Sequence, residues 1–518
     1  MDRYERNVGG DHWPEGTLPL IEDRVAAARR AVAKLESLDR YGIRRTLHGF
    51  HTVSDYYPLR ATAPIDAGEA EEIVSAVGGS PFEMYLRLPF RESGCAFCRP
   101  HESPTERGVG RIIKEGDALR LIENELAVYH DVLGGPLIAL ALRIGGGLPS
   151  RNNLLAKLFN RVKNHLAVRP GAKVTIEIHP EDHEDHDIRE KLGILKDFGV
   201  TDLVLDLHSG NPRTLEHIGR PPSSLDTYLR LVDTCLDEGH DSIVTTLAAG
   251  LPFETFESLD HTIRLIADIP QVSAVNIFPA VTRGADPGSR NLRHLPRDSH
   301  SAEVRDQMWL FARNTMRALG YVEGPFSSMR RSSRSDRRSD EFEQVGSLGA
   351  GISASGYLDG PDWGARYHNA CDPRDYAERI GRNRLAIWRL GRLDRTEQVR
   401  RTIISGLANL EVGDLFEIEE RYGVSIDALY GRVFNALLEL GLIGVDTARR
   451  GIRLTEEGLC RLEEITYFLG SDLVKDACDE PPSPEDPHHR TVTVPRRDRR
   501  RFEAFVGEQD EAFLHRLR

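Results

Sequence analysis

The chain is short of cysteine, of cationic charge and of long apolar runs. Its six cysteines are spread over 518 residues, too few and too scattered for a disulfide framework, so the expected compartment is a reducing cytoplasm. With 68 Lys and Arg against 81 Asp and Glu, the formal net charge is −13. That balance argues against nucleic acid or an anionic membrane as the main partner and leaves a small molecule as the expected one. No apolar run is long enough to span a bilayer. The first 19 residues are polar and acidic, without the basic-then-apolar pattern of a secretion signal. What remains is an ordinary apolar fraction of 40% in a length that implies more than one domain.

The most informative stretch runs from Met84 to Pro100. An apolar strand, Met84 to Leu88, is ended by Pro89, which has no N–H for a ladder. A loop with Cys95 and Cys98 follows. A C-x-x-C pair in a reducing compartment binds metal, works as a redox pair, or simply packs. Arg91 stands four residues before Cys95. Its guanidinium stays protonated and has no acceptor, so it cannot replace a thiolate.

From Met84 to about Gly320, strand and helix patterns alternate. Apolar runs at Leu137–Ile144, Lys173–Ile178, Asp202–Leu207, Ser242–Ala248 and Ala274–Phe278 read as near-continuous buried strands. Between them apolar residues fall on single helix faces: Ile112, Leu119, Ile122, Leu126 and Tyr129, then Leu225, Leu229, Val232 and Leu236, then Phe256, Leu259, Ile263 and Ile266. Such alternation implies an α/β fold with a parallel sheet covered by helices.

Several strand ends carry polar or glycine-rich signals. Gly145-Gly146-Gly147-Leu148-Pro149-Ser150 follows the second strand; glycines let a backbone approach a ligand, or make a tight turn. Glu177 closes the third strand, an odd place for a carboxylate in an apolar run. The cluster from Glu181 to Asp187 contains two histidines and reads as a metal site or, more simply, as an acidic helix start.

Outside this region, Ile21–Leu38 reads as an amphipathic helix and Tyr41–Asp66 as mixed loop. Met329–Asp340 is Arg/Ser-rich and reads as an exposed loop. Gly349-Ala350-Gly351 and Tyr367-His368-Asn369 lie beyond it. Thr396–Leu469 has three helical patterns and a hairpin-like stretch, Ile443–Leu454. In the candidate recognition helix, Ser425–Leu440, the only cation is Arg432. Reading DNA needs several cations on the phosphates, so packing or a substrate lid is the better role. Asp472–Asp486 reads as a linker and the basic run Pro495–Arg501 as a solvated tail, with a short helix closing the chain.

In their order, these motifs resemble the radical S-adenosylmethionine (SAM) enzymes, specifically the oxygen-independent coproporphyrinogen III oxidase-like branch. The carriers are Leu88-Pro89-Phe90 with the C-x-x-C pair, the glycine run, Glu177-Ile178-His179-Pro180, Gly250-Leu251-Pro252 and Tyr367-His368-Asn369, with weaker support from Tyr56-Tyr57-Pro58-Leu59 and Ile404-Ser405-Gly406-Leu407. The resemblance covers about residues 56 to 470. It implies an open (β/α)6 partial TIM barrel with a C-terminal, helical, winged-helix-like domain. The expected division is an N-terminal segment over 1–83, the barrel over 84–325, a post-barrel segment over 326–382, the C-terminal domain over 383–470, and a linker and tail over 471–518.

The same resemblance implies one or two SAM molecules and a [4Fe–4S] cluster at the open ends of the strands. Cys95 and Cys98 are the matched cluster ligands, and Arg91 stands where the family has its first cysteine. Tyr85, Phe97, Gly146, Gly147, Glu177, His208, Arg220, Thr246 and Phe278 are the implied SAM-site positions. Leu148, His208 and Thr246 replace the family's threonine, glutamine and aspartate. Arg91 and His208 are the candidate catalytic residues. A guanidinium at 91 would suit the SAM carboxylate as a bidentate partner. A sulfonium needs no electron to give up a carbon group, so the expected function is polar group transfer, or C–S cleavage with elimination or cyclisation, on a small molecule. The alternatives are a conventional cluster-bearing enzyme and a non-catalytic SAM or haem carrier.

Overall fold

The structure is a computed structural model that describes residues 18–44, 62–78, 82–88, 113–149, 151–180, 188–280, 300–324, 328–331, 346–360, 362–479 and 494–518. Six parallel strands lie side by side in chain order: β1 (Phe82–Arg87), β2 (Leu137–Gly145), β3 (Val174–Ile178), β4 (Asp202–His208), β5 (Ile243–Ala249) and β6 (Val272–Pro279). Helices Glu115–Leu133, Asn152–His165, Ile188–Phe198, Ser224–Asp237 and Phe256–Ala267 fall between successive strands, and Ala302–Ala318 follows the last. The strands match the apolar runs of the sequence to within about two residues at each end.

The strands are not apolar throughout, as the runs suggested. They alternate. Met84, Leu86, Ile144, Ile176, Ile178, Leu203, Leu205, Ile243, Val275 and Ile277 are buried in one core with the helices. The opposite parity carries Glu83, Tyr85 and Arg87 on β1, Thr175 and Glu177 on β3, Asp206 on β4 and Thr246 on β5. One face of the sheet is therefore a hydrocarbon layer and the other is polar. Each fully buried Leu or Ile on the first face stabilises the fold by about 1.5–3 kcal/mol.

Among the described residues the sheet does not close between β1 and β6. On the β1 side it continues through β7 (Gly346–Ala350), which is parallel to β1, then the antiparallel strands β8 (Ser355–Asp359), β9 (Gly364–Asn369) and β10 (Ile387–Leu393), with Ala63–Pro64 at the edge. On the β6 side, Ser328–Arg331 and Tyr321–Glu323 add antiparallel pairs. The post-barrel segment is thus part of the same sheet.

The N-terminal helix runs Ile21–Glu36 and tightens into a 3-10 turn, Ser37–Tyr41. Buried Arg24 fastens it to the barrel helices, with Nη1 2.6 Å from both Asp260 Oδ1 and Thr315 Oγ1. The C-terminal domain has helices Arg395–Ala408, Leu415–Tyr422 and Arg432–Glu439, and a small sheet made by Glu411–Val412 with the hairpin Ile443–Asp446/Gly451–Leu454.

The end of the chain differs from a linker and solvated tail. Asp472–Asp479 and Arg496–Gly507 are helical, and Phe502, Phe513, Leu514 and Leu517 are buried. These apolar side chains sit among arginines, which hides them in a composition reading. The segment covers the candidate recognition helix: Arg432 Nη1 donates to Gly507 O (3.1 Å), and Asn435 Nδ2 donates to Asp510 O (2.8 Å). Among the described residues, no helix is long and apolar enough to cross a membrane.

Candidate active site at the open ends of the strands

Parallel strands leave their C-terminal ends on one rim, where loop residues and the last inward side chains meet. At the β1–β3 corner of that rim, Leu88 N donates to Gly145 O (2.8 Å). Gly146 adopts φ +91° and Gly147 the same, a conformation open to glycine and strained for other residues. A Cβ on Gly146 would run into the Leu88 carbonyl, and one on Gly145 would lie 3.0 Å from both Glu177 Oε2 and Tyr85 Oη. Gly146 N points at Glu177 Oε2 (3.4 Å). Glycine backbone, a phenol and a carboxylate therefore converge where a side chain would close the space.

The β4–β5 corner is built differently. His208 ends β4 at φ +69°, left-handed for a non-glycine residue, and is 3% exposed. The β4–β5 register slips between Asp206 and His208. Arg220 is buried, not a surface cation; its Nη1 donates to Leu207 O (3.1 Å). Thr246 is buried and lies in register between Asp206 on β4 and Asn276 on β6. Phe278, near the end of β6, is paired in register with Ala248 and half-buried.

Three groups that sequence reading left out of the site stand here. His179 Nδ1 lies 3.6 Å from Asp206 Oδ2, both largely buried, at the ends of β3 and β4. Glu254 follows the Gly250-Leu251-Pro252 turn. Its Oε1 accepts from Ser209 Oγ (2.8 Å) and its Oε2 from Gly250 N (3.1 Å). Burial pushes its carboxyl up to about 7 against those bonds. The available signals were the two-residue step from Glu177 to His179 on one strand face, and a carboxylate in an otherwise apolar turn.

The post-barrel motif is explained by a third buried carboxyl. Glu125, on the helix Glu115–Leu133, accepts from Gly351 N, Asn369 Nδ2 and Tyr376 Oη, each at 2.7 Å. A Cβ on Gly351 would strike the carbonyl of Arg87, the last residue of β1, and Arg87 Nη1 donates to Ser353 O (3.2 Å). Gly349-Ala350-Gly351 and Tyr367-His368-Asn369 thus brace the end of β1.

Arg91, Cys95, Phe97 and Cys98 lie outside the described residues, as does the acidic cluster 181–187. Residues 92–266 match the family described as the radical SAM superfamily. The chain contains a radical SAM domain. Heme chaperone HemW of Bacillus subtilis (strain 168) is 25% identical over 403 residues, 74% of this chain and 98% of that protein. An oxygen-independent coproporphyrinogen III oxidase of Salmonella typhimurium is 22% identical over 420 residues, 76% of this chain and 86% of the relative. Among solved structures, coproporphyrinogen III oxidase (HemN) from Escherichia coli superposes with TM-score 0.64 at 19% identity, covering 78% of this chain and 93% of that one. That likeness gives the fold alone: a TIM-like barrel followed by a C-terminal helical domain.

A radical SAM domain implies SAM and usually a [4Fe–4S] cluster. The glycine, phenol and carboxylate cradle at β1–β3 fits SAM: Glu177 can accept from an ammonium, and the unbranched backbone leaves room for it. The donor set does not fit the usual cluster, because the loop offers two thiols with a guanidinium at the first position. Cys235, Cys371 and Cys460 are buried in other parts of the fold: in the helix Ser224–Asp237, after β9, and in the C-terminal domain. Burial pushes the Cys235 thiol up to about 12, far from a ready thiolate.

Proposed function

We propose that the chain is a SAM-dependent enzyme that acts on a small molecule at the open rim of the barrel by polar chemistry at the sulfonium. The observation that carries this reading is the convergence of Tyr85, Gly145, Gly146 and Glu177 on one cradle, on strands of which the first is followed in sequence by Arg91 at the first ligand position. When bound, SAM supplies an electrophilic sulfonium whose carbon substituents are open to a nucleophile. Glu177 would hold its ammonium, Arg91 would pair with its carboxylate, and the unbranched glycines would leave space for the nucleoside. His179 and Asp206 would provide a proton acceptor on the polar face of the sheet.

Aerobic incubation with SAM alone, followed by product analysis, tests this reading; methylthioadenosine would report polar C–S cleavage. Calorimetry should show SAM binding that is lost in Glu177→Ala. Anaerobic reconstitution that yields about four irons per chain, with 5′-deoxyadenosine on reduction, would overturn it.

A second reading, a haem carrier, is favoured by the heme chaperone HemW match, which spans 98% of that relative. Haem binding with a defined stoichiometry, together with no SAM binding, would put it ahead.

A further inference from the structure

We propose that Glu254 is a positioning residue of the SAM pocket: it fastens the His208–Ser209 turn to the Gly250 turn, and because the fastener is a carboxyl, the grip of the pocket on SAM changes with pH. This rests on the SAM-binding reading above. The turns that end the adjacent strands β4 and β5 are joined by Asn211 Nδ2 to Phe253 O (3.1 Å), by Thr214 Oγ1 to Pro252 O (3.0 Å), and nearest to the strand ends by the Glu254 carboxylate. Ser209 Oγ donates to Glu254 Oε1 (2.8 Å), and Gly250 N donates to Oε2 (3.1 Å). Ser209 Oγ also accepts from Asn211 N (3.1 Å), so the turn after His208 is held on both sides. His208 sits in the left-handed region, a conformation that persists only where the surroundings enforce it. Glu254 is 1% exposed and is a local crosspiece for that strain.

The charged and titratable neighbours come from every element around it. His300 Nε2 meets Glu254 O (2.8 Å). Arg305 packs on Gly250 and donates to His300 O. Arg213 stacks on Phe253 from one side and His217 meets it edge-on. Arg220 holds Leu207 O, and His208 itself completes the set. His300, Arg305 and Arg220 each bond a backbone oxygen in this group, and the Glu254 carboxylate is met by the Ser209 hydroxyl and by the backbone of Gly250 and Leu251.

An ionised Glu254 accepts these donors. A protonated one must turn its own hydrogen toward an oxygen, and Ser209 Oγ already accepts Asn211 N–H. The tie is therefore best made when Glu254 is ionised. The same negative charge, at the rim where the strands end, favours a bound sulfonium. Burial already holds the carboxyl near neutrality, up to about 7, so the change falls between pH 6 and 8. In the ligand-free protein the sign is opposite. The group is raised from 4.5, so its contribution to stability is full below that value and is lost as pH rises through about 7.

The test compares wild type with Glu254→Gln, an isostere that cannot ionise, using SAM itself as the probe. Calorimetric dissociation constants are measured from pH 6 to pH 8. Titration of SAM's own ammonium affects both proteins equally and cancels in their ratio. Wild type should gain on the variant by roughly three-fold or more across that range, the size expected for a coupling of half a pKa unit. Ser209→Ala removes a donor to the ionised form and should move the midpoint of the wild-type pH profile upward. Thermal melts of each protein confirm folding, and wild type should lose melting temperature relative to Glu254→Gln as pH rises. Parallel affinity profiles for wild type and Glu254→Gln, or an unmoved midpoint in Ser209→Ala, overturn this inference alone. No SAM binding by any of the three proteins overturns the pocket reading, and this inference with it.

Discussion

Asn369 Nδ2 lies 2.7 Å from Glu125 Oε1, and that bond ties the last residue of β9 to the helix that follows the cysteine loop. The same Nδ2 also reaches Gly351 O at 3.0 Å. Behind it, Tyr129 Oη and Tyr367 Oη meet at 3.0 Å, and Gly349 N donates to Tyr367 Oη at 2.7 Å. The post-barrel strands are therefore bonded to the barrel from behind while Gly351 abuts the end of β1. The end of β1 is held in a frame made of both.

Glu125 is the keystone of that frame, and its ionisation should be visible in stability. Burial raises its carboxyl to about 8 from 4.5, despite three donors. Its contribution is fully present below 4.5 and is lost as pH climbs through about 8. In urea titrations between pH 6 and 9, wild type should lose stability relative to Glu125→Gln. Equal pH slopes for the two would refute this. Glu125→Ala leaves the donors of Asn369, Tyr376 and Gly351 without their carboxyl and should cost on the order of 3 kcal/mol.

The two glycines at the β2 exit separate folding from binding. Gly145 is not in the left-handed region, and the nearest atoms a methyl there would meet are the carboxyl of Glu177 and the hydroxyl of Tyr85, which are side-chain ends. Gly145→Ala should melt close to wild type while SAM affinity falls about ten-fold or more, a change of about 1.4 kcal/mol. Gly146→Ala meets the Leu88 backbone at φ +91° and should lose both melting temperature and binding. Wild-type affinity in a folded Gly145→Ala would remove the cradle from the site.

The six strands were legible because their helix-facing residues are Leu, Ile, Val and Met at every second position, and their spacing survives any uncertainty at the ends. The place of Glu177 at the rim was legible because a carboxylate that closes an apolar run stands out; its contact with SAM is proposed. His179 with Asp206, and Ser209 with Glu254, were not, since each pair is made by strands or turns that are neighbours in space and distant in sequence. Glu125 occupies one position of an amphipathic helix and reads there as surface; only the fold supplies Asn369 and Tyr376. The end of the chain misled for the opposite reason. Its arginines are largely exposed, but Phe502, Phe513 and Leu517 between them are buried.

His208 offers a test of whether the β4 turn is strained for use. At φ +69°, a residue with a Cβ pays about 1 kcal/mol that glycine does not. His208→Gly and His208→Ala both remove the ring and its contacts, so the difference between them isolates the backbone. The glycine variant should be the more stable by about 1 kcal/mol in chemical denaturation. Both should bind SAM more weakly than wild type if the ring lines the pocket. Glycine also frees the turn that Ser209 and Glu254 hold, so its SAM affinity should fall at least as far as that of alanine despite its greater stability. A glycine variant that is both more stable and undiminished in SAM binding would mean that the left-handed histidine serves neither the pocket nor its geometry, and would withdraw His208 from the site.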